Sequence, residues 1–159
     1  MTKRILLAFF FLLCLNSISI QDTISQSDIN FYKDLTCLSE NIYYESRGES
    51  IDGKKGVAQV TLNRTKDIHF PSNVCEVVYQ KTGRTPQFSW TAEHHTQVKD
   101  NDAWIECVEI ARKALTEDHI HPLLARTKAL YYKAYYSKAN WHKKYIVATI
   151  GNHTFYTSI

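Results

Sequence analysis

A run of apolar residues at helical spacing carries one carboxylate on its buried side, and this combination limits how the chain can fold. Leu35, Leu38 and Ile42 recur at three- and four-residue steps, which predicts an amphipathic helix from Leu35 to Ser46. Glu45 follows Leu38 by seven residues and Ile42 by three, so it shares their stripe. A buried carboxylate is costly unless it finds partners. We therefore expect the fold to bring other residues against Glu45.

Two interpretations of Glu45 follow from this placement. In the first, desolvation raises the pKa of Glu45 and keeps the side chain protonated near neutral pH, which is the state that a general acid needs. Tyr43 and Tyr44 would then supply walls and hydroxyl groups beside it. In the second interpretation, Glu45 forms a buried ion pair with Arg64 or Arg47 and serves only to fix the helix.

The N-terminal segment has the features of an export signal. Lys3 and Arg4 precede an unbroken apolar run of eleven residues, Ile5 to Leu15, and the small residue Ser19 fits a cleavage site. We therefore predict a signal peptide over residues 1–19 and a mature protein that is secreted, periplasmic or held in the cell envelope. A retained membrane anchor is the alternative, although a bilayer span needs roughly 17–25 residues.

Removal of this segment changes the charge and the cysteine count. The full chain has 19 Lys and Arg against 16 Asp and Glu, and loss of the two N-terminal cations leaves 17 − 16 = +1. This balance does not indicate nucleic-acid binding, and we expect no membrane partner after cleavage. Cys37, Cys75 and Cys107 remain, in a compartment that permits disulfides. An odd number leaves at least one free thiol, and any of the three pairings, or none, stays open.

The mature chain, at about 140 residues, is long enough for one domain. Residues 20–34 are predicted to be a loose polar lead-in and residues 35–159 to be the domain. Gly48 is predicted to end the first helix in a left-handed C-cap. The other predicted elements are a helix over Asp52–Arg64, a short helix around Val74–Val78, a loop over Lys81–Trp90, a helix after the N-caps Asp100–Asp102, and strands at Ala129–Tyr132, Tyr145–Ile150 and His153–Tyr156. The predicted class is α+β, mainly helical, with a small C-terminal β-sheet.

Several motifs occur in the order typical of one family. The motifs are Asn41-Ile42-Tyr43, Glu45-Ser46-Arg47-Gly48-Glu49, Gly56-Val57-Ala58-Gln59-Val60, Leu62-Asn63-Arg64, Phe70-Pro71, Val74-Cys75, Gln87-Phe88-Ser89-Trp90, Tyr132, Trp141, and Ile150-Gly151-Asn152-His153 with Phe155-Tyr156. On these residues the chain resembles the SleB-type cell-wall hydrolases, the family of the spore cortex-lytic enzyme catalytic domain. The resemblance runs from about Leu35 to Tyr156.

The resemblance implies a single domain with a lysozyme-like fold of the lytic transglycosylase type, which cuts peptidoglycan between N-acetylmuramic acid and N-acetylglucosamine. It also implies that Glu45 is the catalytic acid, in agreement with its place on the apolar stripe. Most glycosidases use two carboxylates. Here no second acid occupies a comparable position, which favours a transglycosylase with one acid and a 1,6-anhydro product. The alternative is hydrolysis by water, activated by Asp52 or Glu93, whereas Glu49 is expected to be a surface acid or a loop cap.

The same resemblance indicates which residues bind the glycan. Aromatic residues make up 13% of the chain, and such side chains build cores and also stack on sugar rings. Trp90 is predicted to stack on a sugar, or else to fill the core beneath its loop. The other predicted substrate-binding residues are Gln87, Ser89, Tyr132, His153, Tyr156 and Asn63. Asn63 has the alternative of capping its own helix, and the tyrosines that of packing.

Two departures from the family pattern weaken parts of this transfer. Lys133 follows Tyr132 where the family usually has histidine, which puts one binding contact in doubt. Thr91-Ala92-Glu93-His94-His95 replaces a segment that often carries a cysteine, so the disulfide pattern of the family transfers less directly.

Other function classes remain as alternatives. His94-His95 and His119 with His121 invite a zinc hypothesis, but neither pair has the spacing of a confident helical site, so we expect no metal and no cofactor. A glycan-binding module without activity, in which Glu45 is structural, is the non-enzymatic alternative. The expected partner is the peptidoglycan glycan strand, and the expected state is a monomer.

Overall fold

The first long helix begins earlier than its apolar pattern indicates. The computed structural model describes residues 25–93, 97–117, 120–138 and 144–158. Helix α1 runs over Gln26–Ser46 and begins at Ser25, whose side chain accepts a hydrogen bond from the Asp28 N–H while Asp28 bonds back to Ser25. The loose lead-in predicted for residues 20–34 is therefore wrong from Gln26 onward. Residues 26–30 are exposed, so their polarity reflects solvent contact on a helix rather than the absence of one.

The helices after α1 lie close to their predicted positions. They are α2 at Ile51–Thr65, α3 at Val74–Val78 and α4 at Asn101–Thr116. The short helix α5 at Pro122–Arg126 is the exception, because no helix is predicted there from the sequence. Asp100 caps α4 as predicted, because its carboxylate accepts the Ala103 N–H. The left-handed C-cap predicted for Gly48 is wrong. Among the described glycines, positive φ occurs at Gly83 and Gly151, and α1 ends at Arg47 in right-handed geometry.

Two small antiparallel sheets complete the domain. The C-terminal sheet contains β3 (Tyr131–Ala134), β4 (Lys144–Ile150) and β5 (His153–Ser158), each with ends within two residues of those predicted. The strands lie in the order β3-β5-β4. The segment predicted as a loop over Lys81–Trp90 instead contains a short hairpin, β1 (Lys81–Thr82) with β2 (Thr85–Pro86), turning at Gly83. A 3-10 helix over Ser89–Ala92 follows it. Strands of two residues are too short to leave a periodic pattern in the sequence.

The hydrophobic core lies in two clusters that meet beside Glu45. The larger cluster packs α1 against α2, α3 and α4, with Leu38, Ile42 and Val57 completely buried. The smaller cluster packs α2 against α5 and the C-terminal sheet, around Phe155. Tyr132 contacts both clusters. The junction between the helical part and the sheet is therefore where the site is built.

A disulfide between Cys37 and Cys75 joins α1 to α3. Of the pairings that the sequence leaves open, this is the one that the structure contains. Cys107 on α4 is a buried free thiol, and burial raises its pKa to about 11. Within the described ranges, the chain has no helix long and apolar enough to cross a bilayer.

Candidate active site

Glu45 lies in the last turn of α1, with most of its side chain removed from solvent. The Tyr132 hydroxyl, on β3, donates a hydrogen bond of 3.2 Å to Glu45 Oε2, although 87 residues separate the two in sequence. The predicted placement of Glu45 on the buried stripe of its helix is confirmed, because Leu38 and Ile42 on the same stripe are fully buried. The helix supplies the acid and the sheet supplies its partner.

Three effects act on the protonation of Glu45. Burial raises the pKa of Glu45, and the hydrogen bond from Tyr132 and the positive charge of Arg64 act against that rise without cancelling it. The pKa of the carboxyl group is therefore above its ordinary value. A carboxyl group of this kind keeps more of its protonated form toward neutral pH, as a general acid requires.

The alternative in which Glu45 is one half of a buried ion pair does not fit the geometry. Arg64 is 2% exposed, and its Nε donates a hydrogen bond of 2.8 Å to the Leu130 carbonyl oxygen. The guanidinium lies 5.1 Å from the Phe70 ring centroid and 5.3 Å from that of Phe88. In the described part of the chain, Glu45 has no Lys, Arg or His nitrogen within 4 Å. Arg64 thus acts on Glu45 as a charge at a distance.

Arg47, the other predicted ion-pair partner of Glu45, is exposed at the end of α1. Its guanidinium lies 5.2 Å from the centroid of the Tyr43 ring, a cation–π arrangement. The Tyr43 hydroxyl is used elsewhere, because it accepts the backbone N–H groups of Lys99 and Asp100 at 3.0 Å each. Tyr43 therefore holds the loop that precedes α4.

Asn41 is a site residue that the sequence interpretation missed. It is completely buried four residues before Glu45, and its side-chain oxygen accepts a hydrogen bond of 3.4 Å from Trp90 Nε1. Its amide nitrogen donates to Thr61 Oγ1 at 3.1 Å, and Asn41 also acts to lower the pKa of the Tyr132 hydroxyl against the stronger effect of burial. The available signal was its spacing of four from Glu45, which places both on one face of a helix. Asn41 connects the Trp90 loop to the Tyr132–Glu45 pair.

The segment Gln87–Trp90 alternates between exposed and packed side chains. Phe88 is buried, in a stacked arrangement 6.4 Å from the Tyr132 ring, and Trp90 is half-buried and stacks on Tyr44 at 4.7 Å. Gln87 and Ser89, which flank Phe88, are exposed, and their predicted binding of substrate stays a prediction. Trp90 packs in the core and also lines a cleft of about 470 Å³, so its two predicted roles are compatible.

His153 lies on the side of the sheet that faces the site. Its ring is edge-on to Tyr132 at 5.3 Å, and it is 7% exposed. Burial lowers the pKa of His153, and the nearby Glu49 carboxylate opposes this. His153 thus packs behind Tyr132, and its predicted role in binding substrate stays a prediction.

Glu49 joins the end of α1 to the turn between β4 and β5. Its carboxylate accepts the Asn152 backbone N–H at 3.0 Å and the Asn152 side-chain amide at 2.9 Å. Burial raises the pKa of Glu49, but these two hydrogen bonds and His153 outweigh it, so the pKa lies below its ordinary value. The sequence predicts Glu49 as a surface acid or loop cap and does not predict its contact with Asn152, which lies 103 residues away in sequence.

Two of the predicted substrate-binding residues lie away from Glu45. Asn63 is buried, and its amide donates to the Leu124 and Ala129 carbonyl oxygens at 2.9 and 2.8 Å, so it joins α2 to α5 and neither caps its own helix nor reaches the acid. Tyr156 pairs with Tyr131 across the sheet, and alternation along β5 places it opposite the face that carries Phe155. The predicted binding of substrate by Asn63 and Tyr156 stays a prediction, and neither residue lies beside Glu45 in the structure.

The sequence profile of the Cell Wall Hydrolase family matches residues 48–156, more than half of the chain. The chain belongs to the cell wall hydrolase family. The spore cortex-lytic enzyme of Oceanobacillus iheyensis is 30% identical over 116 residues, which cover 73% of this chain and 36% of that protein. The spore cortex-lytic enzyme of Bacillus subtilis is 30% identical over 99 residues, or 62% of this chain and 28% of that protein. The chain spans about a third of the length of these curated relatives.

Two solved structures share the fold of this cell wall hydrolase. One is the catalytic domain of the germination-specific lytic transglycosylase SleB from Bacillus anthracis, with a TM-score of 0.62 and 24% identity, covering 87% of this chain and 100% of that one. The other is the catalytic domain of the Bacillus cereus SleB protein, with a TM-score of 0.61 and 26% identity, covering 79% and 91%. The predicted lysozyme-like α+β class and the SleB-type resemblance are confirmed.

The remaining candidate residues of this cell wall hydrolase are dispersed. Asp52 is exposed and lies 3.6 Å from His121 Nε2, while Glu93 is exposed on the lining of the Trp90 cleft. Lys133 lies on the same face of the sheet as Tyr131 and Tyr156, opposite the face that carries Phe155. The position where the family usually has histidine is therefore on the side of the sheet away from Phe155.

The zinc alternative concerns histidines that the structure only partly describes. His94, His95 and His119 lie outside the described residues. Within those ranges no three His, Cys, Asp or Glu side chains come together as a metal would require.

Proposed function

We propose that this chain cleaves the glycan strand of peptidoglycan between N-acetylmuramic acid and N-acetylglucosamine, with Glu45 as the catalytic acid. The observation that carries the proposal is the half-buried Glu45 carboxyl group, hydrogen-bonded to Tyr132 and with a raised pKa, where α1 meets β3 beside an open groove. Family membership and the fold shared with the SleB catalytic domains support the same substrate class.

The chemistry needs one side chain in two protonation states. Protonated Glu45 donates its proton to the glycosidic oxygen, and the bond from that oxygen to the anomeric carbon of muramic acid breaks. The Glu45 carboxylate then takes the proton of the muramic 6-hydroxyl while that oxygen bonds to the anomeric carbon. The product is a 1,6-anhydro sugar, no water is consumed, and Glu45 regains its proton. Tyr132 and Arg64 stabilise the carboxylate formed between the two steps.

The location of the reaction is also part of the proposal. We propose export of the chain by the signal over residues 1–19, which lie outside the described residues. The Cys37–Cys75 disulfide supports this, since disulfides persist in oxidising compartments outside the cytoplasm.

The test is digestion of purified peptidoglycan, with the products identified by mass spectrometry. We expect 1,6-anhydro ends, and we expect Glu45→Gln to lower the rate by about 10²- to 10⁴-fold, because it removes the proton that is transferred. Glu76→Gln, an exposed glutamate on α3, is the matched control and should keep the rate.

The other possible products separate the alternatives. Reducing muramic ends would mean that water is the nucleophile and would replace the transglycosylase by a hydrolase. Release of free stem peptides would contradict cleavage of the glycan strand altogether. Full activity in Glu45→Gln would show that the acid is misassigned, whatever the products.

A further inference from the structure

A second concave surface adjoins the groove beside Glu45. The groove is lined by residues 44–49, and the neighbouring cleft of about 470 Å³ has Tyr44 and Arg47 in common with it. The cleft is further lined by Tyr43, Trp90, Glu93, Gln97 and Lys99. Because the two concave surfaces share these residues, they form one continuous surface that runs past Glu45.

The lining of this cleft combines an aromatic platform with an excess of positive charge. Trp90 stacks on Tyr44, and Arg47 and Lys99 outnumber the acid Glu93 by two to one. Across the described ranges, neither cation has a carboxylate oxygen within 4 Å. An aromatic platform is enough for a neutral sugar ring, but two cations without acidic partners suit an anionic ligand.

The two residues that carry these positive charges, Arg47 and Lys99, both contact the buried Tyr43 side chain. The Arg47 guanidinium lies 5.2 Å from the Tyr43 ring centroid, and the Lys99 backbone N–H donates to the Tyr43 hydroxyl at 3.0 Å. Tyr43 is 1% exposed and therefore cannot move freely. Tyr43 thus contacts the Arg47 guanidinium directly and anchors the backbone from which the Lys99 side chain extends.

We propose that this cleft binds carboxylate groups of the peptide stem carried by muramic acid. This inference rests on the proposed function and adds to it that the enzyme recognises peptide-substituted strands in preference to bare glycan. Muramic acid carries its peptide on the lactyl group, close to the scissile bond, so a peptide carboxylate enters the surface next to Glu45. Arg47 suits this ligand because a guanidinium binds a carboxylate through two parallel hydrogen bonds.

The test measures binding in a Glu45→Gln background of the full chain, so that no probe is cleaved. The probes are chitotetraose, a tetrasaccharide of alternating N-acetylglucosamine and N-acetylmuramic acid without peptide, and the same tetrasaccharide with stem tripeptides. Calorimetry at low salt is expected to give the tightest binding for the peptide-bearing probe. Lys99→Ala should lower the affinity for the peptide-bearing probe by about 2- to 5-fold and leave the affinity for chitotetraose unchanged.

Two controls and two contrary outcomes define the test. Lys66→Ala removes the same charge from an exposed position at the end of α2 and should change nothing. Trp90→Ala should weaken all three probes. Equal affinity for the probes with and without peptide would overturn the inference, as would a Lys99→Ala effect equal on chitotetraose. Neither result would affect the proposed function, whose own test is the identity of the cleavage products.

Discussion

At the scale of the residue, some neighbours of Glu45 favour its protonated form and others favour its carboxylate form. Burial among the apolar residues of α1 favours the protonated form, whereas the Tyr132 hydroxyl and the Arg64 charge favour the carboxylate. The reaction proposed for Glu45 uses both forms in turn. Arg64 is buried, and in the described part of the chain it has no carboxylate oxygen within 4 Å. The negative charge of ionised Glu45 therefore offsets part of the cost of burying the Arg64 guanidinium.

This arrangement predicts a pH effect of Arg64. A nearby positive charge lowers the pKa of a carboxyl group, so Arg64→Met should raise the pKa of Glu45 further. Activity needs protonated Glu45 at the first step, and the alkaline limb of the kcat/KM profile should therefore move to higher pH. Arg64→Lys keeps the charge and should leave the limb near its original position.

The comparison of these two variants separates charge from packing. Both remove part of the contact with Phe70 and Phe88, so a merely structural role would lower activity in both without moving the limb. Circular dichroism confirms that each variant is folded. An unmoved limb in Arg64→Met would show that Arg64 has no influence on the acid.

At the scale of the element, α2 and the C-terminal sheet approach each other at a glycine. A Cβ atom added to Gly56 would lie 2.6 Å from Phe155 Cζ and 3.3 Å from Leu124 Cδ1. Phe155 is completely buried, so its ring cannot swing into free space. The absence of a side chain at Gly56 lets β5 pack directly on α2, which sets the distance between Tyr132 and Glu45.

Gly56→Ala is accordingly expected to destabilise the protein. Overpacking costs about 1–3 kcal/mol, and the better helix propensity of alanine returns about 1 kcal/mol. The net loss in free energy of unfolding should be up to about 2 kcal/mol, measured by urea denaturation. Gly48→Ala is the matched control, because a Cβ atom there meets nothing within 4 Å and φ is not positive. A gain in stability for Gly56→Ala would contradict the close packing of these elements.

The turn between β4 and β5 is held in place by its contact with Glu49, just after the end of α1. Gly151 has φ of 57°, which favours glycine, and a Cβ atom there would overlap the Glu49 carboxylate oxygen. That carboxylate holds Asn152, and the Asn152 carbonyl oxygen accepts the Tyr135 N–H at 2.8 Å. The end of α1 is thereby connected to β5 and to the end of β3, the strand that carries Tyr132.

At the scale of the whole molecule, the Cys37–Cys75 disulfide closes a loop of 38 residues that contains all of α2. Cross-linking a loop of this length stabilises a protein by about 3–4 kcal/mol, chiefly by restricting the unfolded chain. Cys37→Ala with Cys75→Ala should therefore lower the free energy of unfolding by about 2–4 kcal/mol in denaturant titrations.

Cys107→Ala serves as the comparison, since it removes a buried thiol without changing the cross-link. It should cost less than the double variant. Alkylation of the unfolded, unreduced protein should modify Cys107 and spare the other two. Modification of Cys37 or Cys75 under those conditions would contradict the pairing.

Several parts of this fold follow from local patterns. Helix α2 was predicted within one residue at each end, the Asp100 cap of α4 was found, and the Gly151-Asn152 hairpin was identified. The errors occur where solvent exposure hides the pattern, as at residues 26–30 of α1, or where elements are very short, as in the β1–β2 hairpin. The apolar residues of a helix recur at helical spacing because one face of the helix is buried. A helical segment that is exposed on all sides therefore lacks this pattern in its sequence.

The spacing of the residues alone places Glu45 on the core-facing stripe of α1, because Ile42 and Leu38, three and seven residues before it, define the face of the helix that it occupies. The tertiary structure decided which residues meet it. Tyr132 donates to Glu45 across 87 residues of sequence, Asn152 binds Glu49 across 103, and Asn63 bonds α5 rather than approaching Glu45. Spacing along a chain constrains groups within a few turns of one another. Contacts between distant elements depend on how their faces pack, which here rests on the glycine at position 56 and the rings of Phe155 and Tyr132.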